Sequence, residues 1–223
     1  MCMMNIENHI ELTALRPDTT MSQLEGVCNE AIEYKFATVC VPPLFVKKAK
    51  ELTAASAVKI STVIGFPLGY NAIEAKVAEI VLAVIDGADE LEMVINTIAV
   101  KNKDWQYLAN EINTVLPIIR GKGRKITVVL ETALMTNEEI VTACDIYGAA
   151  AVDYIKAGTG YSADENVVER IKLMKKHLAE AVKIKSSTGT INYKFAVELI
   201  SAGTDRISCS NGLMLVQEAL QQN

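Results

Sequence analysis

Residues 152–161 read VDYIKAGTGY, a short apolar run that carries a lysine, Lys156, to the point where it gives way to a glycine-containing loop. A lysine at the end of a buried strand is costly unless it has a partner or chemistry to perform. Lys156 is therefore a candidate nucleophile. Some thirty residues on, AVKIKSSTG at 181–189 repeats the pattern, with Lys185 at the junction of an apolar run and a loop of small polar residues. Two lysines in equivalent places point to one site at the ends of two neighbouring strands.

A lysine pair makes sense as protonation chemistry. A free lysine with pKa near ~10.4 is only ~0.04% neutral at pH 7, so an attacking amine gains roughly a thousandfold if its pKa falls toward ~7. A second ammonium and partial burial both push that way, which predicts a lowered pKa for Lys156. The competing reading is of two surface lysines whose aliphatic stems lie over apolar neighbours.

Outward from this stretch, strand and helix patterns alternate nearly throughout. Strands are predicted at 10–15, 37–41, 58–65, 90–96 and 125–131, in the Lys156 and Lys185 stretches, and at 206–210. Helices are predicted from Thr20, over 44–54, from an N-cap at Asn71 to 85, and over 104–119. Further helices run from a cap at Thr136 to Gly148, then over 163–179 and 193–201, and to about 221. Gly87, Gly148 and Gly203 each sit where a helix C-terminus calls for positive φ. Eight strands, each followed by a helix, predict an α/β fold, a single (β/α)8 TIM barrel over 1–223 with a short N-terminal extension. The active site of such a barrel lies at the C-terminal mouth of the strands. An open doubly wound sheet is the alternative.

Composition narrows the function. The chain has 223 residues, half of them hydrophobic, a formal net charge of -5 and no basic stripe, which argues against a grip on nucleic acid phosphates. Five scattered cysteines without a CxxC pair fit a reducing cytoplasm better than a disulfide framework. The start has no basic n-region or long apolar segment, and no apolar run is long enough to span a membrane. With only His9 and His177, neither having a spaced partner, no metal site is expected. No GxGxxG, P-loop or EF-hand pattern occurs, and no cofactor is expected.

Glu90 and Glu92 share one strand face because side chains alternate, and Glu92, nearer the mouth, is the candidate acid that relays protons. Lys183 shares parity with Lys185, and only closeness to the SSTG loop favours Lys185. Three small loops, 157–160, 186–189 and 208–212, bring glycines and hydroxyls to the mouth, the last opening a helix N-terminus. The candidate substrate- and phosphate-binding set is Gly160, Thr188, Gly189, Ser210 and Asn211, with Thr13 and Cys40 at the ends of the first two strands. For Cys40 a small buried hydrophobe is the competing reading.

Taken together, DYIK at 153–156 with Thr159-Gly160, GADELEMVIN at 87–96, VIGFPLG at 63–69, TVCVP at 38–42 and DRI at 205–207 resemble the deoxyribose-phosphate aldolase family, in order and spacing, from about Glu11 to Gly212. The resemblance implies a TIM barrel that cleaves 2-deoxy-D-ribose 5-phosphate to glyceraldehyde 3-phosphate and acetaldehyde without metal, through a lysine imine. It implies Lys156 as the Schiff-base lysine, Lys185 as the lysine that lowers its pKa and shuttles protons, Glu92 as the acid, and a homodimer or higher homo-oligomer. Several positions depart from the family pattern. Glu92 and Glu11 stand where it has aspartates, Ala157 and Gly158 where its KTSTG has hydroxyls, Thr188 where it has glycine and Asn211 where it has serine. These departures keep two other classes in view: a Schiff-base aldolase for another carbonyl substrate, and a non-catalytic paralogue that binds or assembles.

Overall fold

The structure, a computed structural model, describes residues 5–187 and 189–221. Eight strands form in order: β1 (Ile10–Thr13), β2 (Thr38–Val41), β3 (Lys59–Ile64), β4 (Glu90–Val94), β5 (Lys125–Leu130), β6 (Tyr154–Ala157), β7 (Lys183–Ser187) and β8 (Arg206–Cys209). Every neighbouring pair is parallel, and β8 returns to β1, so the sheet closes into a barrel. The helices are α1 (Met21–Glu33), α2 (Val46–Leu52), α3 (Ile73–Asp86), α4 (Thr97–Lys101), α5 (Trp105–Gly121), α6 (Asn137–Ala149), α7 (Val167–His177), α8 (Tyr193–Ala202) and α9 (Gly212–Gln221). This is the (β/α)8 barrel expected from the sequence, not the open sheet.

Local rules explain most boundaries. Thr20 and Thr136 each form a full capping box, with Gln23 and Glu139 respectively. Gly87 and Gly203 take positive φ, 103° and 120°, at the ends of α3 and α8. Two local expectations are corrected. Asn71 does not cap α3; Ala72 occupies that position, and the Asn71 amide donates to Glu79 Oε1 at 3.3 Å. Gly148 lies inside α6, and the positive φ there belongs to Ala151, at 53°, because the helix runs on past the glycine before turning. The stretch predicted as one helix over 44–54 is a 3₁₀ turn, Pro43–Phe45, followed by the shorter α2.

A repeated polar device fixes the register of the barrel. Aspartates sit just before β4, β6 and β8, and each accepts the backbone N–H of a residue in the preceding strand. Asp89 takes Ile60 N–H at 3.0 Å, Asp153 takes Ile126 at 3.0 Å and Asp205 takes Ile184 at 2.8 Å. The outward strand residues, among them Leu12, Val39, Ile60, Leu91, Val128, Ile155 and Ile207, are buried beneath the helices and form the main core. The inward positions behave differently. TIM barrels usually fill their interior with branched apolar side chains, whereas here Glu11, Glu90, Glu92, Lys156, Lys185 and Ser208 all point inward and are buried. The alternation in sequences such as ELEMV and KIKSS therefore separates an apolar core from a charged one, not a core from solvent.

Candidate active site

Lys156 and Lys185 are register partners on β6 and β7, so the same parity aims both into the barrel. Lys156 is 2% exposed and Lys185 is fully buried. Across the lumen, β4 and β1 supply the carboxylates that meet them. Lys156 Nζ donates to Glu92 Oε2 at 2.6 Å and to Glu11 Oε1 at 3.5 Å. Lys185 Nζ donates to Glu11 Oε2 at 2.7 Å, Glu92 Oε1 at 2.9 Å and Glu90 Oε2 at 3.1 Å. Arg206 closes the lower side by donating to Glu90 Oε2 at 2.7 Å. Lys183, of the same parity as Lys185, is exposed at the opposite end of β7, where the barrel floor opens to solvent. Both Glu90 and Glu92 face the lysines, so strand parity was right for each, and Glu92 is the one shared by the pair.

These contacts set the protonation state, and they reverse one expectation from the sequence. Burial pushes the Lys156 ammonium toward losing its proton, and Lys185 adds a smaller push the same way. The Glu92 and then the Glu11 carboxylates outweigh both, so Lys156 is held above the usual lysine range. Lys185, penalised by burial but facing Glu11, Glu92 and Glu90, is held higher still. Burial alone would raise Glu11, yet Lys185, Lys156 and Arg206 bring it well below the ordinary carboxylate range. The resting site is thus an ion cluster of three carboxylates and three cations. A lowered Lys156 pKa, inferred from the lysine pair alone, is corrected because that inference left out the pull of the Glu92 and Glu11 carboxylates.

Above the cluster, at the C-terminal mouth, lies a cavity of about 720 Å³ whose wall includes Thr13, Gly160, Gly189 and Ser210. These four predicted binding residues are brought together. Gly160 and Gly189 have φ of +87° and +72°, conformations that leave backbone free of a Cβ at the rim. Thr188 lies outside the described residues. Cys40 is not at the mouth but buried in the cluster, its thiol 3.9 Å from Glu92 Oε2. Burial, then Glu92 and Glu11, keep that thiol protonated. Asn211 does not line the cavity; its amide bridges to Ile191, donating to the carbonyl at 2.7 Å and accepting from the N–H at 3.4 Å. The first turn of α9 is partly engaged as well, since Leu213 N–H donates to Glu30 Oε1 at 2.9 Å.

The sequence reading noted Glu11 only as a departure from the family pattern and Ser208 only as part of the 208–212 loop, giving neither a role in the site; the Ser208 hydroxyl makes a short hydrogen bond to Glu11 Oε1 while lining the cavity. The signal was present: an acid alternating with apolar residues in IELT, and a serine two positions past an arginine in RISC. The Glu11, Cys40 and Glu92 donor atoms lie within 4.8 Å of one another, a spacing that suits a metal ion. Both carboxylates are already engaged by the ammoniums of Lys156 and Lys185. Among the described residues no helix is long and apolar enough to cross a membrane.

Known proteins resemble the chain over nearly its whole length. The deoxyribose-phosphate aldolase of Caldanaerobacter subterraneus subsp. tengcongensis is 40% identical over 221 residues, covering 99% of this chain and 96% of that protein. The enzyme of the same name from Thermococcus kodakarensis is 42% identical over 216 residues, 96% of each. Among solved structures, the aldolase QR15 superposes with a TM-score of 0.92 at 33% identity, covering 99% of this chain and 98% of that one. The tetrameric deoxyribose phosphate aldolase of Aeropyrum pernix shares the fold, with a TM-score of 0.90 at 23% identity over 98% of this chain and 92% of that one. The model of the family described as DeoC/LacD family aldolase matches residues 6–219, and the chain belongs to that family.

Proposed function

We propose that the chain is a class I aldolase that cleaves 2-deoxy-D-ribose 5-phosphate to glyceraldehyde 3-phosphate and acetaldehyde through an imine on Lys156. The observation that carries the reading is the contact of the Lys156 ammonium with Glu92 at 2.6 Å, beside Lys185 and beneath an open cavity. Lys156 must give up a proton before it attacks the aldehyde, and Glu92 Oε2 is the acceptor in place. Lys185 bridges Glu92 and Glu11, and Glu11 accepts from Ser208 at the cavity wall. Protons leaving Lys156 thus have a continuous hydrogen-bonded route to the mouth. Once water is lost, the protonated imine draws the electrons of the breaking carbon–carbon bond, and the same route returns the proton that quenches the enamine. The Gly160, Gly189 and Ser210 rim, with Arg16 on the same wall, is where the substrate phosphate would lie.

Borohydride reduction in the presence of 2-deoxyribose 5-phosphate, followed by peptide mapping, tests the reading. A mass adduct on Lys156, absent from Lys156→Ala, is the expected result. An adduct on another lysine would overturn the assignment, and none with this sugar but one with another carbonyl would move the substrate. The reading also takes the chain as one barrel domain that assembles as a homo-oligomer, checked by light scattering. A cytoplasmic setting is supported by the four described cysteines, all free and buried.

A further inference from the structure

Glu131 follows the last residue of β5 and keeps the inward parity of Thr127 and Val129. Val129 is in register with Lys156, and Gly158 N–H donates to the Leu130 carbonyl at 2.7 Å. Glu131 therefore stands two residues further toward the mouth than the register partner of Lys156, roughly 6–7 Å of strand. That places it on the mouth side of Lys156, on the neighbouring strand.

Glu131 is 6% exposed. Its Oε2 accepts a short hydrogen bond from the Thr159 hydroxyl, while Oε1 is shut off from solvent and has no hydrogen-bond partner. A buried acceptor without a donor is unfavourable, and such groups call for a ligand or a functional reason. On one side Oε1 is closed by the Gly158 backbone, where even a Cβ would meet the Ser187 carbonyl at 3.1 Å, so a ligand reaches it from the compartment that Glu131 lines. Glu131, Thr159 and Tyr161 wall a compartment of about 270 Å³ together with apolar Leu68, Ile98 and Leu134, and Thr159 and Tyr161 also wall the large cavity. Burial raises the carboxyl above its ordinary pKa, against smaller opposing pulls from the Thr159 hydrogen bonds. A polar donor arriving at Oε1 would offset that desolvation.

We infer that Glu131 determines specificity for the acceptor half of the reaction, its free Oε1 accepting a hydrogen bond from a hydroxyl of the bound sugar or aldehyde. The inference rests on the aldolase reading above. The favoured acceptor class is a hydroxylated aldehyde; an unsubstituted one leaves Oε1 unpaired in the complex and is disfavoured.

The test is aldol addition of acetaldehyde to D-glyceraldehyde and, separately, to propanal, in the wild type, Glu131→Leu and Glu131→Gln. In the wild type, glyceraldehyde should be preferred by at least about tenfold in kcat/KM. Glu131→Leu should bring the ratio to about one by losing glyceraldehyde activity while propanal stays within about twofold, and Glu131→Gln, a weaker acceptor, should fall between. Equal loss for both acceptors, or an unchanged ratio, would overturn the inference; if the leucine variant does not fold, an unchanged ratio in Glu131→Gln does the same. Borohydride trapping of acetaldehyde on Lys156 separates the two readings. With the adduct present, a failed ratio sinks only the role of Glu131; with no adduct in the wild type, the aldolase reading falls and takes this inference with it.

Discussion

At the scale of single residues, the site turns on two glutamates reaching two lysines. Glu92 contacts Lys156 at 2.6 Å and helps to hold it above the usual lysine range. Because only the free amine attacks, kcat/KM should rise with pH through neutrality and on into the alkaline range. Glu92→Asp draws the carboxylate back by one methylene and weakens that hold, so activity at pH 7 should be kept or raised; a collapse would mean that the site depends on the longer side chain. Glu92→Gln removes the charge, so its acid limb should move to lower pH while the maximum falls for want of a proton acceptor, and a limb that stays put would contradict the electrostatic account. Lys185→Leu leaves Glu11 and Glu92 to pull on Lys156 alone and strands a buried carboxylate. Turnover should drop severely, and urea denaturation should show a loss of about 3–5 kcal/mol.

Among the elements, the aspartates before β4, β6 and β8 carry the register. Asp205 accepts from Ile184 N–H at 2.8 Å, the residue next to Lys185. Asp205→Ala should cost about 1–3 kcal/mol by leaving that donor unpaired at the barrel floor, measured by urea denaturation, whereas Asp205→Asn, which keeps an acceptor, should recover much of the loss. Equal effects of the two variants would show that the contact is incidental. The helix starts at Thr20 and Thr136 were legible because capping chemistry is local, within four residues. Asn71 and Gly148 misled for the complementary reason: the amide was drawn to Glu79 on the following helix, and α6 ran past its glycine. Propensity yields where a nearby partner competes for the same group.

For the whole molecule, a second buried ion pair ties the outer layer to the barrel. Lys76 on α3 and Glu111 on α5 meet at 2.6 Å, both fully buried, and Lys76 also donates to the Val94 carbonyl at the end of β4 at 2.7 Å. Lys76→Met should destabilise by about 3–5 kcal/mol, because the Glu111 carboxyl, already pushed up by burial, is left buried without its partner, and Lys76→Met with Glu111→Leu should restore most of it. A double variant no more stable than the single would overturn that account. The sequence by itself determined the βα period and singled out the two lysines, because a hydrophobic pattern of fixed period and a lysine in an apolar strand are both read along the chain, while closure of the sheet was set by the pairing of β8 with β1. Only the tertiary structure decided that Glu11 and Lys185, 174 positions apart, meet at 2.7 Å, and that Ser208 connects them to the mouth. It also decided that Lys156 rests as an ammonium: strand parity says which way each side chain points, but protonation depends on the sum of charges that closure brings across the lumen.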